Sequence, residues 1–350
     1  MEIRQTGTYT GQGLEKIRKS EVTSSDVMER IIAQDSFKKS EEAEKGTYSR
    51  EDLAGKVKSE ISGESKKTTS VQLAKDTWTN ENTSVYVINS DIYTDGVAKE
   101  PTFINFPKDP NKPANYPELG RVLSDIESHL PKQYGSSYQD PDRITWGHET
   151  THGINSHLRN HYNNTGKEAN GFYCTENRAI VLPEPGIRKS SVGKYVPDSL
   201  KGSRYQMYII GQTAFEHQPL YIFDEWTSYT NGADVGVNLV NEGKWKWGWR
   251  DAVAGAVEFT AYSFALGMAL EKQDPKYLEN NPNFKEFLAW QAIRSMDIFR
   301  EGAQMPQFKY AVQDKYYENF KYSPDAQPMR DYIRRNFGEE YLQRMLYGKS

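Results

Sequence analysis

His148-Glu149-Thr150-Thr151-His152 sets two imidazoles four residues apart around a carboxylate. On a helix that spacing puts both histidines on one face, where their nitrogens can hold a single metal ion. Glu149, one position along, reaches the space beside such an ion without ligating it. Zinc brings the pKa of a water toward neutrality, and a carboxylate so placed can take the proton as the water attacks a polarised carbonyl. The chain has only six histidines, so two of them at this spacing around a glutamate form a specific signal. The pattern predicts Zn2+ as cofactor, His148 and His152 as ligands and Glu149 as general base.

A catalytic zinc takes three protein ligands and keeps one position open. His157 lies about 140° round the helix from His152, at about 100° per residue, so it and His161 are expected at the surface. The metzincin pattern would need Gly and His where this chain has Asn155 and Leu158. His129 and His217 have no partner at ligand spacing. Two later segments share one pattern of Glu, aromatic, Thr, small residue and Tyr: Glu225-Trp226-Thr227-Ser228-Tyr229 and Glu258-Phe259-Thr260-Ala261-Tyr262. Either glutamate can supply a carboxylate ligand from a helix. Glu225 is the preferred third ligand, because its connection to His152 is shorter and Thr230-Asn231-Gly232 reads as a helix stop just beyond it. Glu258, among Ala252, Val253, Ala254, Ala256 and Ala261, sits on a tightly packing helix and is the alternative.

With these motifs the chain resembles the gluzincin peptidases, whose His-Glu-x-x-His helix is followed by a helix carrying a ligand Glu. Glu258 with Phe259, Ala261 and Phe264 is similar to the Glu-Phe-x-Ala-x-x-Phe stretch of the anthrax lethal factor group. The resemblance is confined to these short motifs. It implies a zincin-like fold and a protein or peptide substrate. Tyr229, four residues after Glu225, could donate to the oxyanion of a tetrahedral intermediate. The lethal factor group takes its Tyr from an offset where this chain has Gln218 or Asp251, so the resemblance does not carry that role over, and Tyr229 reads first as a packing residue.

The elements that must hold these groups can be read from pattern. Asp140-Pro141 opens a helix, a capping side chain followed by proline at the first position, running past His152 to about His161. Ser84 to Ile88 and Thr102 to Phe106 read as extended, and Leu119 to Leu130 as an amphipathic helix with Val122, Ile126 and Leu130 on one stripe. Phe172-Tyr173-Cys174 and Ala179-Ile180-Val181-Leu182 form a hairpin around Thr175 to Arg178. Beyond Thr213 the chain is mostly helical, most clearly over Ala252 to Lys272, Phe284 to Phe299 and Pro328 to Leu346. A few strands followed by many helices predict an α+β domain. Trp245, Trp247 and Trp249 alternate, which on an extended segment puts three indoles on one face, either a stacking platform for ligands or an aromatic hairpin covering the core.

Residues 1–75 are rich in Lys, Glu, Ser, Thr and Gly, apart from a short helical pattern at Ser24 to Ile32, and bury too little apolar surface to offset chain entropy. They are expected to be a flexible extension (tail, propeptide or delivery segment), with the zincin-like domain over 76–350. A net charge of −4 without a long basic run excludes an electrostatic footprint for nucleic acid. One cysteine, Cys174, excludes an intrachain disulfide and a cysteine-based zinc site; it reads as a small buried hydrophobe. The first residues lack a cleavable hydrophobic signal and no apolar run spans a membrane, which points to the cytosol or to export independent of a signal peptide. The expected function is a zinc metallopeptidase. The alternatives are a non-catalytic zinc- or glycan-binding module on the same fold and a toxin-like effector peptidase delivered into another cell.

Overall fold

The computed structural model describes residues 92–94 and 97–348. The expected extension over 1–75, its boundary at 76 and the strand over Ser84 to Ile88 lie outside the described residues. What is described is mostly helical with small antiparallel sheets, an α+β arrangement. Strands β1 (Tyr93–Thr94) and β2 (Val97–Ala98) pair with each other, and within the stretch expected to be extended, Thr102 to Phe106, only β3 (Ile104–Asn105) pairs as a strand.

Helix α1 (Arg121–His129), with Leu130 as its C-cap, buries the expected stripe of Val122, Ile126 and Leu130, and Leu123 beside it. Helix α2 (Arg143–His161) carries the His-Glu-x-x-His residues. Its N-cap is Asp142 and not Asp140: the Asp142 carboxylate accepts from Ile144 N at 2.9 Å, while Asp140 accepts from Asp142 N, and Pro141 stays outside the helix. Both aspartates can cap. Arg250 decides between them, because its Nε donates to Asp142 Oδ2 at 2.7 Å and holds that side chain at the helix entry.

The hairpin is as expected: β4 (Ala169–Tyr173) pairs antiparallel with β5 (Arg178–Pro183), and β5 also pairs with β3, giving the order β3-β5-β4. Its turn puts Thr175, Glu176 and Asn177 successively at φ of 63°, 53° and 64°, a region that non-glycine residues visit at a cost. Glu176 N donates to Asp125 Oδ2 at 3.0 Å, and Asn177 Oδ1 lies 2.7 Å from His129 Nε2, so α1 holds the turn in place. Cys174, fully buried beside it, has its thiol pushed up to about 12 by burial and is inert.

The core is closed by α3 (Tyr221–Asn241), α4 (Ala254–Gln273), α5 (Pro275–Asn280), α6 (Pro282–Ala303), α7 (Ala311–Tyr322), α8 (Gln327–Phe337) and α9 (Glu339–Tyr347). The single helix expected over Pro328 to Leu346 is two, broken at Gly338, whose φ of 96° suits glycine. The alternating tryptophans form neither a strand nor a hairpin. Trp249 Nε1 and Arg250 N donate to the carbonyls of Lys309 and Gln307, which fold this segment as an irregular loop. Trp245 packs edge-on against Phe308, while Trp247 and Trp249 stay 39% and 47% exposed. Among the described residues no helix is long and apolar enough to cross a membrane.

Candidate metal centre

Helices α2 and α3 cross where both lack side chains. A Cβ on Gly232 would lie 3.0 Å from the Ile144 carbonyl oxygen and 3.4 Å from His148 Cβ, and one on Gly147 would lie 2.8 Å from Val235 Cγ2. Thr230-Asn231-Gly232 is therefore not the helix stop that its composition suggested. Gly232 is a point of close approach, and α3 runs on to Asn241. Two asparagines lock the crossing to β4. Asn155 Nδ2 donates to Asp224 Oδ1 and Thr227 Oγ1, and its Oδ1 accepts from Tyr173 N; Asn231 Nδ2 donates to Thr151 Oγ1 and the Tyr173 carbonyl. The Asn155 that departs from the metzincin pattern is a joint between three elements.

This crossing brings together His148, His152 and Glu225, whose ligand atoms converge and could hold a metal ion. The two Nε2 atoms are 3.0 Å apart, and Glu225 Oε2 lies 3.8 Å from His148 Nε2 and 3.7 Å from His152 Nε2. In the plane of these three atoms, the equidistant point is about 2.0 Å from each, a zinc–nitrogen or zinc–carboxylate bond length. Glu225 is 1% exposed, and neither of its carboxylate oxygens has a hydrogen-bond partner. A buried carboxylate left this way is costly unless a cation meets it. The donor set therefore fits zinc: two imidazoles, one carboxylate and no competing protein donor on the carboxylate.

The surroundings prepare the ligands. Asp224 Oδ1 lies 2.9 Å from His152 Nδ1. An ionised carboxylate only accepts, so Nδ1 carries the proton and the Nε2 lone pair faces Glu225. Burial works to raise the Asp224 pKa, but His152, Arg159 and the Asn155 amide overcome it and hold the carboxyl below its usual range. Burial, with help from His152, Arg204 and Arg250, drives His148 well below 6.5, leaving it neutral as a ligand must be. Glu149 is half-buried on the same turn of α2.

Glu258 goes elsewhere. Its carboxylate accepts from Arg204 N at 3.1 Å, Arg204 Nη1 at 2.9 Å and Tyr262 Oη at 3.0 Å. It is not among the converging ligand atoms. His157 is half-buried against Phe106 and Tyr162 and His161 is exposed, their rings 4.4 Å apart and both outside the converging group. His129 is buried under Asn177 and Tyr173, and His217 is exposed. Tyr229 lies against the centre, its ring edge-on to His148 at 4.5 Å and its hydroxyl 2.9 Å from that of Tyr208. Burial raises its pKa, Arg204 opposes and Glu225 adds to the rise, so the hydroxyl keeps its proton.

Asp224, Tyr208 and Arg204 are the neighbours that motif reading misses. For Asp224 a signal existed, since an Asp-Glu pair interrupts the apolar run Tyr221-Ile222-Phe223 and Trp226. Tyr208 and Arg204 come from a segment without periodicity and left none. A groove of about 980 Å³ lined by Asp125, Arg178, Asp234 and Trp290 among others touches none of the three converging residues; donor chemistry, not volume, marks the centre. No protein-family model, curated protein or solved structure matches the chain.

Proposed function

We propose that this protein is a zinc-dependent metallopeptidase of the zincin kind, with His148, His152 and Glu225 as ligands in a gluzincin-like set and Glu149 as general base. The observation that carries the reading is the buried Glu225 carboxylate, unpartnered and facing two imidazole nitrogens. Zinc held by His148, His152 and Glu225 would supply a Lewis acid for a peptide carbonyl and would bring the pKa of a water toward neutrality. Asp224 orients His152 and keeps its Nε2 lone pair free for ligation. Glu149 takes the proton of the attacking water and returns it to the departing amine. Tyr229, which retains its proton, donates to the oxyanion that develops on the carbonyl oxygen.

Two variants test this together. Purified wild type should hold about one zinc per chain, and His152→Ala should lose it. Glu149→Gln should keep the zinc and lose cleavage of a proteome-derived peptide library, by at least about a hundredfold. Equal zinc in wild type and His152→Ala would sink the ligand assignment. A second reading, a zinc-holding recognition module, draws on the exposure of Trp247 and Trp249. Wild type that holds zinc, cleaves no peptide and binds a glycan array through those indoles would favour it.

A further inference from the structure

Residues 204–211 form a strap whose two ends are fixed by buried charge. Most of it is a π-helical turn, Tyr205–Ile210, an uncommon conformation often found at functional sites. At the upstream end, Arg204 is gripped through its backbone N and guanidinium by Glu258, and through its guanidinium by Asp251 at 3.0 Å. The same guanidinium lies 4.9 Å over the Tyr229 ring. At the downstream end the carbonyls that a helix leaves unpaired converge on one ammonium. Lys189 Nζ donates to Tyr208 O at 2.7 Å, Ile209 O at 2.9 Å and Gly211 O at 2.7 Å.

Lys189 is 0% exposed, a rare state for lysine. Its three protons match three carbonyls one for one, which keeps the ammonium satisfied away from water. The turn already has a glycine at its C-cap, with Gly211 N donating to Gln206 O at 2.9 Å. Here a buried cation is spent on the turn that carries Tyr208. From that turn the Tyr208 hydroxyl reaches Tyr229, whose ring stacks on Phe259 at 5.0 Å and is seated over Gly255, where any Cβ would collide with it. Within a pair of hydroxyls one proton is used between the two, and the direction of that bond sets where the other can point.

We propose that Lys189 is a positioning residue: by gathering the carbonyls of the strap it holds the Tyr208 hydroxyl against Tyr229, and thereby aims the Tyr229 hydroxyl at an oxygen of whatever the metal centre binds. The inference rests on the metal-centre reading given above. It assigns Glu258 a part as well, since Glu258 anchors the other end of the strap through Arg204.

The test uses the full chain with Co2+ as a visible stand-in for zinc and acetohydroxamate as the probe, a small chelator with a carbonyl oxygen. Chelator competition reads Co2+ affinity, and the change in the cobalt spectrum reads hydroxamate affinity. Tyr229→Phe should weaken hydroxamate about tenfold, the size of one hydrogen bond to a charged acceptor. Tyr208→Phe and Lys189→Gln should each weaken it about three- to tenfold, with Co2+ affinity unchanged within about twofold. The double variant should be no weaker than the weaker single, because both changes act through one link. Lys189→Arg, which keeps the cation, should recover part of the loss. Hydroxamate bound by Lys189→Gln as tightly as by wild type, or losses that add in the double variant, overturns the inference and leaves the metal reading standing. Should Lys189→Gln fail to fold, Tyr208→Phe decides alone, since unchanged hydroxamate affinity there removes the link through which the lysine acts. Wild type that takes up no Co2+ overturns the metal reading and this inference with it.

Discussion

At the scale of residues, two near-identical segments reach opposite ends. Glu225 and Glu258 each precede an aromatic residue and a threonine and stand four residues before a tyrosine, and each is buried. Glu258 is met by a guanidinium and a tyrosine hydroxyl, Glu225 by two imidazoles and no hydrogen-bond donor. Under the same chelator competition, Glu225→Ala should lose zinc far more readily than Glu258→Ala, whose effect passes through Arg204 and stays within about 10- to 100-fold. The reverse order, with both variants folded by circular dichroism, would make Glu258 the ligand. The pairing of His148 with His152 was legible because helix geometry fixes their relation locally. The choice between the glutamates was not, because what each meets depends on chain far away: α2 in one case, residues 203 and 204 in the other. Of the two sequence features that favour Glu225, a short connection and a helix stop, the stop does not exist.

At the scale of elements, the crossing of α2 and α3 sets the centre. Gly232→Ala gains about 1 kcal/mol of helix propensity, but its methyl must displace the Ile144 carbonyl or the His148 stem. Overpacking of this kind costs about 1–3 kcal/mol. We expect a net loss of stability in urea melts, accompanied by weaker zinc binding as Glu225 is pushed from the histidines. Stability gained by Gly232→Ala with zinc affinity intact would refute the close-approach account. Composition made Gly232 look like a terminator, as glycine in a helix usually costs stability; its use as a contact surface appears only with the partner helix in place. The entry of α2 departs from the expected Asp140-Pro141 start for a related reason, since two aspartates can cap and a distant arginine holds one of them. Glu184, whose Oε2 accepts from Leu220 N at the start of α3, adds a pH dependence. Burial raises its carboxyl from 4.5 to about 8, so the fold disfavours the charged form. The resulting cost is absent below 4.5, grows as pH rises toward about 8 and is constant above. Glu184→Gln should therefore raise Tm, slightly near pH 5 and most near pH 9. A gain that is equal at both, or larger in acid, contradicts the assignment.

At the scale of the whole described domain, the mostly helical character and the hairpin were readable, because helical periodicity and short apolar runs around a turn are local. The split at Gly338 and the irregular tryptophan loop were not, because φ at one glycine, the Arg250 N–H donating to Gln307 O and the Trp249 indole donating to Lys309 O settle them. The unpartnered carboxylate of Glu225 also bears on the stability of the entire fold. Without a cation the folded chain carries a buried charge that the unfolded chain leaves in water. An ion that binds only the folded form repays this in proportion to the logarithm of its free concentration, about 1.4 kcal/mol per tenfold. Melting in metal-buffered solutions should then show Tm climbing steadily with free zinc in wild type and staying flat in Glu225→Ala. The domain would act as a thermometer whose zero is set by the zinc of its surroundings, folded and durable where the ion is supplied, and short-lived where it is withheld.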